Sequence, residues 1–370
     1  MGSIKNKMML KIFVFLFTLS FFFNTSSAEQ FNFDVTEIEV TDNGNVFKGF
    51  KRGTIITDDG ITIVADTFIF NKVSNILNAN GNVKLENTNE KYSIFAQEVT
   101  YFKNEEKIFT KGESKATNNK GQIIESDKFS FDNNTNVLNA EGNAKVINEL
   151  ENYKIFSDKI TYYKNEEKIL TEGKTTAEIY NRYKVDSKNV IFFKNENKLI
   201  SKNKTKINDQ DNQIYFLDKF VFLLNESLLK GENILIITDY KKPKSNKLFF
   251  SSSIIDVENR SFVSKDTKID LYKDIFDRSE NDPRIAGVSS RGDSNKTILK
   301  KAVFTSCKKN DTCPPWSISA DEIQHDKEKK QITYNKAFLK ILDVPVFYLP
   351  TFFHPDPTVK RQSGLLKPEI

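Results

Sequence analysis

Histidine and cysteine are nearly missing from this chain of 370 residues, with two of each. His325 and His354 stand beside no plausible nucleophile or carboxylate pair, and the sequence holds no Gly-rich phosphate loop, zinc-ligand spacing or nucleophile elbow. An enzyme is not expected, nor a cofactor. Cys307 and Cys313 are too few for a disulfide scaffold, and without a histidine at ligand spacing they cannot close a tetrahedral metal shell. Blocks of five or six like charges are missing too, and a formal charge of +5 is weak for this length, so no nucleic-acid partner is expected. Beyond the N-terminal segment, no apolar run approaches the roughly 20 residues of a membrane-spanning helix.

The N-terminal segment itself has a recognisable order. Lys5, Lys7 and Lys11 precede an apolar run over residues 12–23, and Ser26, Ser27 and Ala28 then place small residues where a signal peptidase reads. The pattern predicts a secretory signal over residues 1–28, cut after Ala28. The run is short for a retained membrane anchor. What remains has room for one large β domain or two smaller ones.

A repeat period of 20 to 50 residues decides a fold, so self-similarity comes before local structure. Residues 102–108 read FKNEEKI and residues 163–169 read YKNEEKI, an offset of 61. Half of that offset is the period, with Asp66, Gln97, Asp127, Asp158, Lys188 and Asp218 as anchors 30 or 31 residues apart. Two residues after each anchor come Phe68, Val99, Phe129, Ile160, Val190 and Phe220, and four after it Phe70, Tyr101, Phe131, Tyr162, Phe192 and Phe222. This alternation predicts a half-buried strand opening each copy. A break rich in Asn and acidic residues follows, of the kind that favours turns. A second strand then begins with Leu77, Ile108, Leu138, Ile169 and Leu199, and two residues later come the small Ala79, Thr110, Ala140, Thr171 and Ser201. Gly81, Gly112, Gly142 and Gly173 close the series, with Asn203 in the fifth copy, and predict a bend with positive φ or a close backbone approach.

Each copy is thus expected to be two short strands joined by a polar corner, and six copies are expected to stack over residues 61–237. One copy cannot bury its apolar face alone, so stacked copies must share a continuous interior. Two readings of that interior remain open: a solid β core, or a trough whose apolar lining is available to an acyl chain. Ala320-Asp321-Glu322-Ile323 restates the anchor further on, with Ile332 echoing the second strand.

The C-terminal part carries more specific motifs: AVFTSC at residues 302–307, PWSI at 315–318, DVPVFYLP at 343–350 and RQSGLLKP at 361–368. Their order and spacing closely resemble the LptD family, the lipopolysaccharide-assembly or organic-solvent-tolerance proteins, just before the family's barrel begins. The preceding repeats are similar to the LptA/OstA-like β-jellyroll of the same pathway. The resemblance implies an all-β protein in four parts: a signal peptide (1–28), a periplasmic open β-jellyroll (29–240), a jellyroll continuation and connector with the cysteine pair (241–335), and a pre-barrel motif reaching the threshold of the first barrel strand (336–370).

It also implies lipopolysaccharide transport and assembly at the outer membrane, with the protein exported to the periplasmic face of that membrane. The first and second strands of each copy, from Phe68 to Phe222 as named above, would line a trough for lipid A chains. The implied partners are lipopolysaccharide itself, a periplasmic LptA-like bridge protein at the edge around residues 31–40, and an LptE-like plug lipoprotein held through the barrel. Cys307 matches the family cysteine that pairs with the barrel. In this chain a local Cys307–Cys313 bridge is expected, with free thiols as the alternative. Pro368, directly after the last motif, would weaken the barrel seam as a lateral gate. Family members continue into a large barrel, whereas this sequence stops at Ile370, so a fragment, a truncated gene product or half of a split protein is expected; the family cysteine near the mature N-terminus is a second departure, with none before Cys307. The rival readings are a free-standing periplasmic bridge or shuttle of the same jellyroll type and, from another class, a surface fibre with a dry core.

Overall fold

Period-two alternation of apolar and polar residues governs nearly the whole chain, and the fold follows it. A computed structural model describes residues 31–241, 245–272, 282–309, 314–356 and 359. The segment read as a signal peptide, Cys313 and Pro368 lie outside the described residues. Within them lie 29 strands, β1 to β29 in chain order, all hydrogen-bonded antiparallel into one sheet, and two single-turn 3-10 helices.

The sheet folds into two facing walls because its long strands cross from one to the other. In β13 (Val137–Asn148) the first half pairs with β12 (Lys128–Asp132), setting Leu138 against Phe131. The second half pairs with β11 (Gln122–Ser126), setting Val146 against Ile124. Between the halves the register with β14 (Tyr153–Tyr163) slips at Glu141/Ala144, a bulge that bends the strand. Gly142 and Asn143 sit in this bulge with φ of 77° and 48°. A side chain at Gly142 would overlap the carboxylate of Asp127, whose oxygen accepts a hydrogen bond from the Asn143 amide at 3.2 Å. The recurring anchor acid and the recurring glycine are therefore two halves of one corner: the acid fills the space that the glycine leaves. Gly81 with Asp66, and Gly173 with Asp158, repeat it.

This revises the expected anatomy of a copy. Each copy contributes four strand segments, two per wall. The polar break expected as the corner is instead a turn at the free edge of the first wall. These turns stack through the backbone, Asn133 N–H to Glu106 O at 2.9 Å, Lys164 to Asn136 at 3.0 Å, Lys194 to Glu167 at 3.0 Å. The folding pattern also runs past residue 237, through β22 (Leu228–Ile237) to β29 (Val344–Pro355), each strand paired with the next.

Inward side chains form two clusters. The larger runs unbroken from Phe31 to Val257 and the smaller from Ile269 to Ala337, with Leu248 packed against both. Among the described residues, at the chain-start end β1 (Phe31–Asp34) pairs only with β4 (Gly53–Thr57), and β2 (Glu37–Thr41) only with β3 (Val46–Phe50). At the other end β29 pairs only with β28 (Gln331–Ile341) and exposes Val344, Val346, Phe347 and Tyr348.

Candidate functional site: the shared interior and its seam

All seventeen residues read as a lining, Phe68, Phe70, Leu77, Val99, Tyr101, Ile108, Phe129, Phe131, Leu138, Ile160, Tyr162, Ile169, Val190, Phe192, Leu199, Phe220 and Phe222, face one interior, and none is more than 6% exposed. All of them belong to the first wall. The second wall supplies an equal lining that the sequence reading passed over: three residues before each anchor stand Ile63, Ile94, Ile124, Ile155, Val185 and Tyr215, every one buried. The same alternation was present there, running upstream of the anchor instead of downstream.

The two linings touch. Tyr92 meets Phe131 edge-on with ring centroids 5.1 Å apart, Tyr153 meets Phe192 at 5.4 Å and Tyr183 meets Phe222 at 4.9 Å. In each pair a second-wall tyrosine packs on the first-wall phenylalanine of the next copy. Such pairs contribute about 0.5–1.5 kcal/mol beyond the burial of their area. In these copies the interior is bridged by its own side chains.

Near the corners the lining turns from apolar to hydroxyl. Thr110 accepts from the Phe129 N–H at 2.8 Å, Thr171 accepts from Val190 N–H at 2.7 Å, and Ser157 donates to Glu172 O at 2.9 Å. Strands that change walls leave backbone groups without ladder partners, and a buried orphan costs about 1–3 kcal/mol. The hydroxyls take up those groups, which explains why the small position of each copy alternates between Ala and Thr or Ser.

Opposite the corners, the free edges of the walls are joined only through side chains. Lys103, 9% exposed, reaches across to Asp58 at 3.1 Å and Asp59 at 2.8 Å while holding Glu106 at 3.0 Å. Lys164 pairs with Glu90 across the gap. Lys194, 5% exposed, contacts Glu167 at 2.9 Å, Gln122 at 3.2 Å and Glu151 at 3.5 Å, and Lys120 completes the group on Glu167. The phenols join in: Tyr101 Oη lies 2.9 Å from both Asp59 and Glu106, and Tyr162 donates to Glu167 at 2.9 Å. Burial alone would raise the Glu167 carboxyl, but hydrogen bonds from Lys120 and Lys194 outweigh it and bring the pKa down to about 2. Lys103 is disfavoured as a cation by burial, yet its carboxylate partners Asp59, Glu106 and Asp58 shift it upward on balance.

This polar seam explains the most exact repeat in the sequence. Nine residues after the anchors, Asn75, Glu106, Asn136, Glu167, Asn197 and Ser227 all adopt positive φ. Asparagine tolerates that region; glutamate does so at a cost. Glu106 and Glu167, in FKNEEKI and YKNEEKI, occupy it with φ of 52° and 47°, and these two carboxylates hold the buried lysines.

His325 and His354 turn out to be packing residues near the last strands, His325 paired with Asp356 and His354 2.8 Å from the Tyr334 hydroxyl. Burial lowers the His354 pKa. Cys307 is a free cysteine, its Sγ 3.6 Å from the Trp316 carbonyl oxygen, and its expected bridge partner, Cys313, lies outside the described residues.

No family model matches the chain. Stretches of it do match curated proteins from several bacteria. The chain is similar to LPS-assembly protein LptD. LptD of Actinobacillus pleuropneumoniae serotype 5b (strain L20) is 37% identical over 115 residues, 29% of this chain and 14% of that protein. LptD of Yersinia pseudotuberculosis serotype I (strain IP32953) is 37% identical over 107 residues, 28% of this chain and 13% of its own. In LptD of Pseudoalteromonas translucida (strain TAC 125) identity rises to 46% over 79 residues, 21% of this chain and 10% of that one. The similarity thus spans at most 14% of the length of these LptD proteins. Among solved structures, LptH, the LptA homologous periplasmic component of the lipopolysaccharide transport device of Pseudomonas aeruginosa, covers 30% of this chain and 82% of its own at 14% identity, with a TM-score of 0.28. At that score the jellyroll assignment rests on the strand pairing described above.

Proposed function

We propose that the chain is the jellyroll portion of an LptD-type protein, and that it passes the acyl chains of lipopolysaccharide through the shared interior toward the outer membrane, making and breaking no covalent bond. One observation carries the reading: an interior of apolar side chains runs unbroken from Phe31 to Val257 and is closed on its long free side only by side chains. A dry structural fibre would gain nothing from leaving that side without a backbone ladder.

Magnitudes support passage. An acyl chain of about twelve CH₂ groups carries on the order of 10 kcal/mol of exposed apolar surface, at about 0.8 kcal/mol per CH₂. Parting one cross-wall aromatic pair forfeits about 0.5–1.5 kcal/mol of ring contact. The acyl chain replaces the buried area that the rings lose, so local parting of the seam is offset by the cargo. The protein works as a passive conduit in the periplasm, and the LptA-like bridge meets it at the edge formed by strands β1 and β2.

Placing a photo-crosslinking residue at Phe131, which faces inward, should capture lipopolysaccharide in cells, whereas one at Ser130, on the outer side of the same strand, should not. Equal capture at both positions would exclude an interior path.

A further inference from the structure

We infer that the gap in the seam beside Lys194 is a binding subsite for a pyranose sugar, in the headgroup of the amphiphile whose chains occupy the interior. The inference rests on the conduit reading and adds the place where the polar part of the cargo is held. Between the turns at 148–153 and 194–197 the wall tips enclose a cavity of about 420 Å³, within the roughly 300–1,000 Å³ common for small-ligand sites. Its composition points to one chemistry. Tyr153 and Tyr180 offer ring surface, and Asn152, Asn195 and Asn197 offer amides that both donate and accept. The two cations, Lys120 and Lys194, are already matched by Glu151 and Glu167, so the cavity is electrically balanced and suits a ligand dense in hydroxyls better than a free anion.

Position and strain agree with composition. Phe192 forms part of the cavity wall and belongs at the same time to the continuous apolar cluster, so a ligand here sits directly over the acyl path. Tyr180 adopts φ of 55° and Asn181 φ of 54° in the tight turn between β15 (Lys168–Ile179) and β16 (Tyr183–Lys188). Such turns favour Asn or Gly at both central positions, and a bulky aromatic there is costly. The cost is retained, and the ring is held over the cavity with its hydroxyl donating to Asn197 Oδ1 at 2.6 Å. At the Lys164 copy the corresponding cavity is only about 50 Å³, lined by Tyr92, Phe131 and Tyr162.

Saturation-transfer NMR on the purified chain with a β-linked glucosamine disaccharide at millimolar concentration tests the assignment. Transfer to the ring protons is expected. It should fall at least fivefold in Tyr180→Asn and in Asn195→Ala, with both variants retaining the circular dichroism spectrum of the wild type. Excess inorganic phosphate should not displace the sugar. The subsite is overturned if the wild type gives no transfer, if neither variant weakens it, or if phosphate displaces it. Capture of lipopolysaccharide at Phe131, scored in parallel, separates the two ideas: capture without sugar transfer removes the subsite and leaves the conduit, and transfer without capture does the reverse.

Discussion

Glu167 shows how one residue ties backbone strain to the behaviour of the seam. Its left-handed conformation costs about 1–3 kcal/mol, which asparagine, the residue at equivalent turns, would relieve. Removing the carboxylate, however, leaves Lys194 buried without its nearest charged partner, and breaking a buried pair costs about 3–5 kcal/mol. The second effect is larger, so Glu167→Asn should lower the melting temperature despite its better turn residue, as differential scanning calorimetry would show. The pH dependence follows from the same group. A carboxyl moved from its ordinary 4.5 down to about 2 stabilises the fold above pH 4.5 and loses that contribution as pH falls from 4.5 through 2. Urea melts across that window should show a steeper acid loss for wild type than for Glu167→Asn. Identical pH profiles would mean that Glu167 does not hold the seam.

Among the elements, the end strands β1 and β2 present unused ladder groups, the ready template for adding a strand from another sheet. Proline cannot donate to a ladder, so Glu39→Pro in β2 should weaken pull-down of an LptA-like bridge protein and, with supply cut, lower lipopolysaccharide capture at Phe131 in cells. Unchanged recovery would move the docking edge elsewhere. The contrast between the walls also shows how much the sequence displays by itself. The first wall was legible because its lining is large and aromatic, Phe68, Phe131 and Phe222 among it, and because a glycine closes each of the first four copies. The second wall carries Ile and Val rather than Phe at most of its inward positions, with the small Ala96, Ala144 and Ala177 between them, so its alternation is fainter beside charged neighbours. The corner's chemistry was half visible: the glycine announced a bend, but only the folded chain shows that Asp127 fills the place of its missing side chain. The seam was least visible, since it joins Lys194 to Gln122 and Glu151 across turns that no local pattern brings together. A repeat of FKNEEKI as exact as this one was its only mark in the sequence.

At the scale of the molecule, rings that meet across the interior mean that, on the proposed conduit reading, passage of an acyl chain needs the walls to part. Cysteines at Glu90 and Lys164, in a background with Cys307→Ser and Cys313→Ser, can be joined by a short bismaleimide across the seam. The linked protein should lose lipopolysaccharide capture at Phe131, and either single cysteine treated alike should retain it. Full capture in the linked protein would show that cargo enters from the strand ends and never through the side. The corner built from an anchor acid and a glycine has a consequence of another kind, for descent. Because every corner is completed within one copy and its successor, and each copy adds two strands to each wall, an in-frame gain or loss of one copy preserves all contact types and alters length by only about 10 Å. Recombination between the codons for FKNEEKI and YKNEEKI would remove two whole copies and rejoin the chain in register. Length is then inherited in whole steps, set by the number of copies and not by redesign of the walls.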